Sequence, residues 1–263
     1  MEKSMATSMP SPPVLPILPT VRVAYTLVFM HWRAALKISW AWLVILAVVS
    51  FMIFMPFTTL GRADFLPVFL LIVILLSIHL FGMSSIAVAW HRLILLREAP
   101  AMFNIRVDGP VPRYAWRAML IALVAFLVHM ACSYLIAAFT GMPFTFAPKG
   151  FPGFLISLPV ILVVSRLALA LPAAAVDRPL QLGQVVASTK GNTWRLFTAS
   201  LLISTPAYIF TLIIASVQGS GFLLRSVAAL LHYTINFVLG FACLSFLSLI
   251  YHFFVGSPQD HTD

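Results

Sequence analysis

Val160–Val176 reads VILVVSRLALALPAAAV. Extended back to Phe154, it forms an apolar run over 154–176, longer than the roughly 20 residues that cross a bilayer as a helix. Arg166 sits inside it. A guanidinium at that depth needs a partner, a route to water or a ligand. The fold therefore depends on whether this run is a span and on what its arginine meets.

Composition answers the first question. Hydrophobic residues are 62% of the 263 and charged residues 9%, whereas soluble domains carry about 25% charged residues. Several runs exceed spanning length and none alternates as a strand would, so helices satisfy the backbone in lipid. The expected fold is all-α, a transmembrane bundle of six spans at 38–59, 65–90, 114–140, 154–176, 196–217 and 222–255. The single transmembrane domain covers 20–256. It follows a disordered Pro-rich arm over 1–19, with prolines at 10, 12, 13, 16 and 19, and precedes a tail over 257–263. The arm lacks the continuous apolar core of a signal peptide. Thr20 is placed to cap a helix over 21–37. There Arg22, Thr26, Arg33 and Lys37 share an arc of roughly 60°, the pattern of a helix lying in the interface with its polar edge to water.

Charge sets the orientation. Lys3, Arg22, Arg33, Lys37, Arg92, Arg97, Arg106, Arg113, Arg117, Arg178, Lys190 and Arg195 fall on the side of the N-terminus. Arg62, Lys149 and Arg225 fall on the other, with Arg166 between. Positive charge concentrates on the cytoplasmic side, so both termini are expected in the cytoplasm, with the protein in a bacterial inner membrane. The net charge of +9 is read as affinity for anionic headgroups, not for nucleic acid. Cys132 and Cys243 both lie in apolar runs, which argues against a disulfide framework or a zinc site.

Trp-Arg pairs recur at the inner boundaries: Trp32-Arg33, Trp116-Arg117 and Trp194-Arg195, with Trp90-His91-Arg92 closing span two. Indole favours the headgroup layer and arginine reaches phosphate. Trp90, Arg92, Trp194 and Arg195 are therefore candidate lipid contacts. Val23–Arg33 and Val186–Arg195 both end in Trp-Arg before a span, a short echo of the kind internal repeats leave. In the second, Gln181, Gln184, Ser188, Asn192 and Arg195 share an arc of roughly 80°.

AWHRLILLREAP followed by PRYAWR, and SRLALALPAAAVDRP followed by GNTWRLF, resemble segments of a group of uncharacterised alphaproteobacterial six-helix membrane proteins. The layout over 20–255 is similar to YciC-like proteins and to the membrane domain attached to some glycerophosphodiester phosphodiesterases. The resemblance implies a six-helix membrane fold. It implies no catalytic residues, because the phosphodiesterase barrel has no counterpart in this sequence.

The acids are Glu2, Asp64, Glu98, Asp108, Asp177, Asp260 and Asp263. All lie outside the expected spans, so a carboxylate relay of the pump type is not available. No GxSxG, HExxH, P-loop or dinucleotide fingerprint occurs. The expectation is a non-enzymatic scaffold or accessory protein that contacts anionic lipid, a membrane-protein partner or another copy of itself. For Arg166 three resolutions stand open. The helix can end near Pro172 and bring it to the interface. It can bond carbonyls and hydroxyls, or Glu98. Or it can hold an anion such as a lipid phosphate in a cavity, as a small transporter or lipid-handling protein would. His79 and His129 lie at matching depths of about 18–20 Å from Arg92 and Arg117. That depth suits axial ligation of haem b, or ordinary interhelical hydrogen bonds; no other cofactor is expected.

Overall fold

The computed structural model describes residues 14–59, 65–107, 109–141, 144, 151–216 and 221–256. Among these are nine helices and no strands. They are α1 (Ile17–Met30), α2 (Trp32–Thr59), α3 (Phe65–Leu96), α4 (Pro110–Thr140), α5 (Phe151–Leu167), α6 (Ala170–Ala175), α7 (Leu182–Ser188), α8 (Thr193–Ser216) and α9 (Phe222–Val255). Six helical stretches are long and apolar enough to cross a membrane. The all-α transmembrane bundle expected from composition is therefore the observed fold. The arm up to residue 13 and the tail over 257–263 lie outside the described residues.

Three of the differences from the expected boundaries have a clear local cause. The first helix starts at Ile17, with Pro16 at its N-cap. Pro19 falls in the first turn, where a missing N–H costs nothing, so the prolines do not keep this part of the arm extended. The helix is interrupted at His31 (φ −110°, ψ 24°), not at Lys37. His31 N still donates to Leu27 O at 3.0 Å, and Ala35 N to His31 O at 3.0 Å, so the chain bends without unwinding and 32–37 join the first span. The fourth span divides into α5 and α6 at Ala168-Leu169, because Pro172 has no N–H for the carbonyl of residue 168 and its ring crowds that carbonyl.

Helices α2 and α3 form an antiparallel hairpin at close range. A Cβ on Gly82 would stand 2.7 Å from Trp42 Cε3, so glycine is what lets the indole lie against α3. Helix α9 packs against α1, α3, α6 and α8. Helix α1 lies across α8 and α9: Asn192 Oδ1, just before α8, accepts from Leu15 N at 2.9 Å, and Tyr25 donates to Ile203 O at 2.9 Å. The core gathers where α3 ends and α4 and α8 begin. There Ile38, Trp90, Leu169, Leu196, Phe246 and Ile250 are buried together. This is also where Arg92, Arg113, Arg117, Arg166 and Arg195 lie in the sequence of elements, and we call it the basic end.

Candidate functional site

The turn after α3 builds the centre of the basic end. Arg97 takes a left-handed conformation (φ 56°) and Glu98 N donates to Arg92 O at 3.4 Å. The chain thereby doubles back and sets the Glu98 carboxylate against the Arg92 side chain. Arg92 Nε donates to Glu98 Oε2, and Arg106 Nη2 donates to Glu98 Oε1 at 3.0 Å. Arg92 Nη1 donates to Asp177 Oδ2 at 3.0 Å and to Ala175 O at 3.2 Å. Arg113 Nη2 donates to Asp177 Oδ1. The result is an alternating chain, Arg106–Glu98–Arg92–Asp177–Arg113. It ties the end of α3, the loop behind it, the start of α4 and the exit of α6.

Asp177 is held there by backbone as well as charge. Its φ of 60° is a conformation that costs a non-glycine residue roughly 1 kcal/mol. Arg178 N donates to Ala173 O at 2.9 Å and Asp177 N to Ala174 O at 3.4 Å, the paired bonds that close a helix through a left-handed residue. Asp177 and Arg97 are the two non-glycine residues with positive φ among the described residues, and both flank this ion chain. Burial acts to raise the Glu98 carboxyl. Hydrogen bonds from Arg92 and Arg106, with their charges, outweigh it and hold the group below its ordinary value.

Beside Glu98 lies a cavity of about 230 Å³ lined by Arg92, Glu98, Pro100, Phe103, Asn104 and Arg106. Its loop is docked on α2 and α3: Trp40 Nε1 donates to Met102 O at 3.0 Å, and Trp42 Nε1 to Asn104 O at 2.9 Å. A second cavity of about 310 Å³ lies between α4, α5 and the approach to α7, with Trp116, Arg117, Leu120 and Leu167 in its walls.

Arg166 stands one residue before the end of α5. Its Nε donates to Thr189 Oγ1 at 3.1 Å and its Nη2 to Val186 O at 2.7 Å. Of the three resolutions, the contacts are therefore with a hydroxyl and a carbonyl, both at the C-terminal end of α7. Glu98 is not its partner, being engaged by Arg92 and Arg106. Neither cavity is lined by Arg166.

The remaining candidates separate. Trp90 was expected at the headgroup layer; it is 0% exposed, because its Nε1 donates to Ser245 Oγ at 3.0 Å and its ring meets Phe241 edge-on. Trp194 is 70% exposed, as an interface residue would be. Arg195 Nη1 donates to Leu15 O at 3.0 Å, so with Asn192 it clamps both backbone groups of Leu15. His79 lies on an exposed face of α3, and His129 is half-buried on α4.

One constellation escaped the sequence reading. His91 is fully buried, its Nδ1 2.8 Å from Ser248 Oγ and its Nε2 3.4 Å from the Tyr114 hydroxyl. Ser248 Oγ donates to Leu244 O at 3.0 Å, so Nδ1 carries the hydrogen toward Ser248 and Nε2 accepts from Tyr114. A serine beside an imidazole suggests a nucleophile and its base. Here the serine has spent its hydrogen on the backbone and the pair is sealed from any substrate. Trp90 and His91 thus dock α3 on Ser245 and Ser248, one turn apart on α9. Only knowledge that α3 and α9 touch could have paired them.

These features define a polytopic helical membrane protein with an internally paired polar core at one end. No protein-family model matches this chain, no curated protein matches it and no solved structure matches it.

Proposed function

We propose that this is a non-enzymatic membrane scaffold or accessory protein whose basic end engages anionic lipid headgroups. In this reading the basic end faces the cytoplasm of a bacterial inner membrane, as the charge asymmetry of the loops favours. One observation supports it above the rest. Glu98 and Asp177 are consumed by internal ion pairs, while Arg22, Arg33, Lys37, Arg97 and Lys190 stay exposed at the same end. Exposed Trp32 and Trp194 accompany them, with Arg33 Cζ 5.5 Å from the Trp32 ring centroid. Cations without a carboxylate partner among the described residues, beside exposed indoles, match the chemistry of a phospholipid headgroup layer. The kinship with six-helix YciC-like and phosphodiesterase-associated membrane families belongs to the same proposal.

The test is extraction of the protein with its surrounding bilayer into polymer discs, followed by lipid analysis. The wild-type discs are expected to be enriched in phosphatidylglycerol relative to the source membrane. The triple variant Arg22→Gln, Arg33→Gln, Lys37→Gln is expected to lose most of that enrichment, since each basic residue near the surface contributes about 1 kcal/mol. Wild-type discs with the bulk lipid ratio would overturn the reading.

A further inference from the structure

The second cavity carries a more specific assignment, one that rests on the anionic-lipid reading above. Trp116, Leu120 and Val124 contribute to its wall from α4. They recur every four residues, so they form a stripe about 12 Å long down one face of the helix. Leu167 closes it from α5 and Leu182 from α7. About 310 Å³ of space is bounded almost wholly by carbon. Such a space disfavours water and suits a hydrocarbon chain.

Arg117 stands at the same end of the stripe as Trp116. Its Nη1 donates to Ala170 O at 3.1 Å, a carbonyl beside the interruption between α5 and α6. Among the described residues no carboxylate pairs with Arg117, because Asp177 and Glu98 are held by Arg92, Arg106 and Arg113. Trp116 beside it is 57% exposed, in keeping with a ring that sits at headgroup level. Arg117 therefore lines an apolar groove of acyl-chain character with its aliphatic stem and carries beside it a charge with no carboxylate partner among the described residues.

We propose that this groove holds one anionic phospholipid, its acyl chain between α4 and α5 and its phosphate on Arg117. The interruption at Ala168-Leu169 serves the site twice: it turns the chain so that α7 can return over the groove, and it presents the Ala170 carbonyl that orients Arg117.

Native mass spectrometry of the full-length protein, with phosphatidylglycerol and phosphatidylethanolamine of identical chains, tests this. Wild type is expected to keep one phosphatidylglycerol after the other lipids are stripped. Arg117→Gln should lower its occupancy about fivefold relative to phosphatidylethanolamine, and Arg117→Lys should restore the preference. Leu120→Trp, at an exposed position facing the groove, should lower retention of both lipids while leaving the thermal midpoint unchanged. Retention at wild-type level by both Arg117→Gln and Leu120→Trp would overturn the site. The lipid ratio in polymer discs from the surface triple variant is read separately, so loss of this groove and loss of the general headgroup affinity are told apart.

Discussion

The two ends of α9 differ although both are apolar. Toward the basic end Phe241, Ala242, Phe246, Ile250 and Tyr251 are buried, together with Ser245 and Ser248. Toward the other end Leu223, Leu224, Val227, Leu230, Leu231 and Tyr233 are exposed. Helix α3 repeats the contrast: Ser84–Trp90 are buried in succession, whereas Phe69, Leu70, Val73, Ile74 and Leu76 are exposed. Hydrophobicity does not explain it, because lipid tails are as apolar as leucine and exert no drive toward helix contact. What distinguishes the packed half is small residues and polar links. GMSSIAVA over 82–89, ALPAAA over 170–175 and GFACLS over 240–245 let backbones approach, and the Trp90–Ser245 and His91–Ser248 bonds join α3 to α9. In the open half the side-chain polar atoms Ser133 Oγ and His232 Nδ1 are buried without a partner among the described residues.

The contrast is broken most severely at its centre. Trp90→Ala removes a sealed indole and the bond it donates to Ser245, and is expected to cost about 3 kcal/mol, read as a lowered midpoint in denaturant titration of detergent-solubilised protein. Phe126→Ala, at an exposed site of the open half, is expected to change stability by under ~0.5 kcal/mol. A comparable loss from both would mean that the halves do not differ. Gly82→Ala places a methyl where Trp42 already lies and is expected to cost about 1–3 kcal/mol, with a shift in Trp42 fluorescence as the local readout.

Glu98→Gln comes next. It removes the charge that Arg92 and Arg106 share and is expected to cost about 1 kcal/mol, because the pair is partly open to solvent. The same group predicts a pH dependence. Its folded value lies below the ordinary 4.5, so its contribution is fully present above that pH and is lost as pH falls through the folded value. A wild-type midpoint that drops below pH 4.5 more steeply than that of Glu98→Gln supports the assignment; parallel curves would refute it. Ser133→Ala should have the smallest effect, a gain of under ~1 kcal/mol, since it removes a buried hydroxyl that lacks a partner.

Much of this was legible in the linear chain, for physical reasons particular to membranes. Run length set the six spans, because a bilayer imposes a fixed thickness, and 222–255 matches the helix observed. Proline position was informative too: a helix ending near Pro172 was one of three resolutions for Arg166, and the helix breaks at Ala168-Leu169, where Pro172 has no N–H for the carbonyl four residues before it. The acid census placed no carboxylate in a span, and Arg166 bonds Thr189 and the Val186 carbonyl. The census could not say that Glu98 and Asp177 would converge on Arg92, since the two acids stand 79 positions apart in the chain. Trp90 and Trp194 share an Arg-flanked context, yet one is sealed in the core and the other exposed.

By itself, then, the sequence determined the solvent this protein lives in, the number of its crossings and the asymmetry of its charge. Each of these depends on residue type counted along one dimension. The tertiary structure alone decided which arginines are spent on carboxylates or carbonyls and which keep unpaired charge. Arg92, Arg113, Arg117 and Arg166 carry the same guanidinium. Their partners are Glu98 and Asp177 with the Ala175 carbonyl, Asp177 with the Gly109 carbonyl, the Ala170 carbonyl, and α7. Ion pairing depends on separations of a few ångströms between distant segments, and only the packing of the helices sets those.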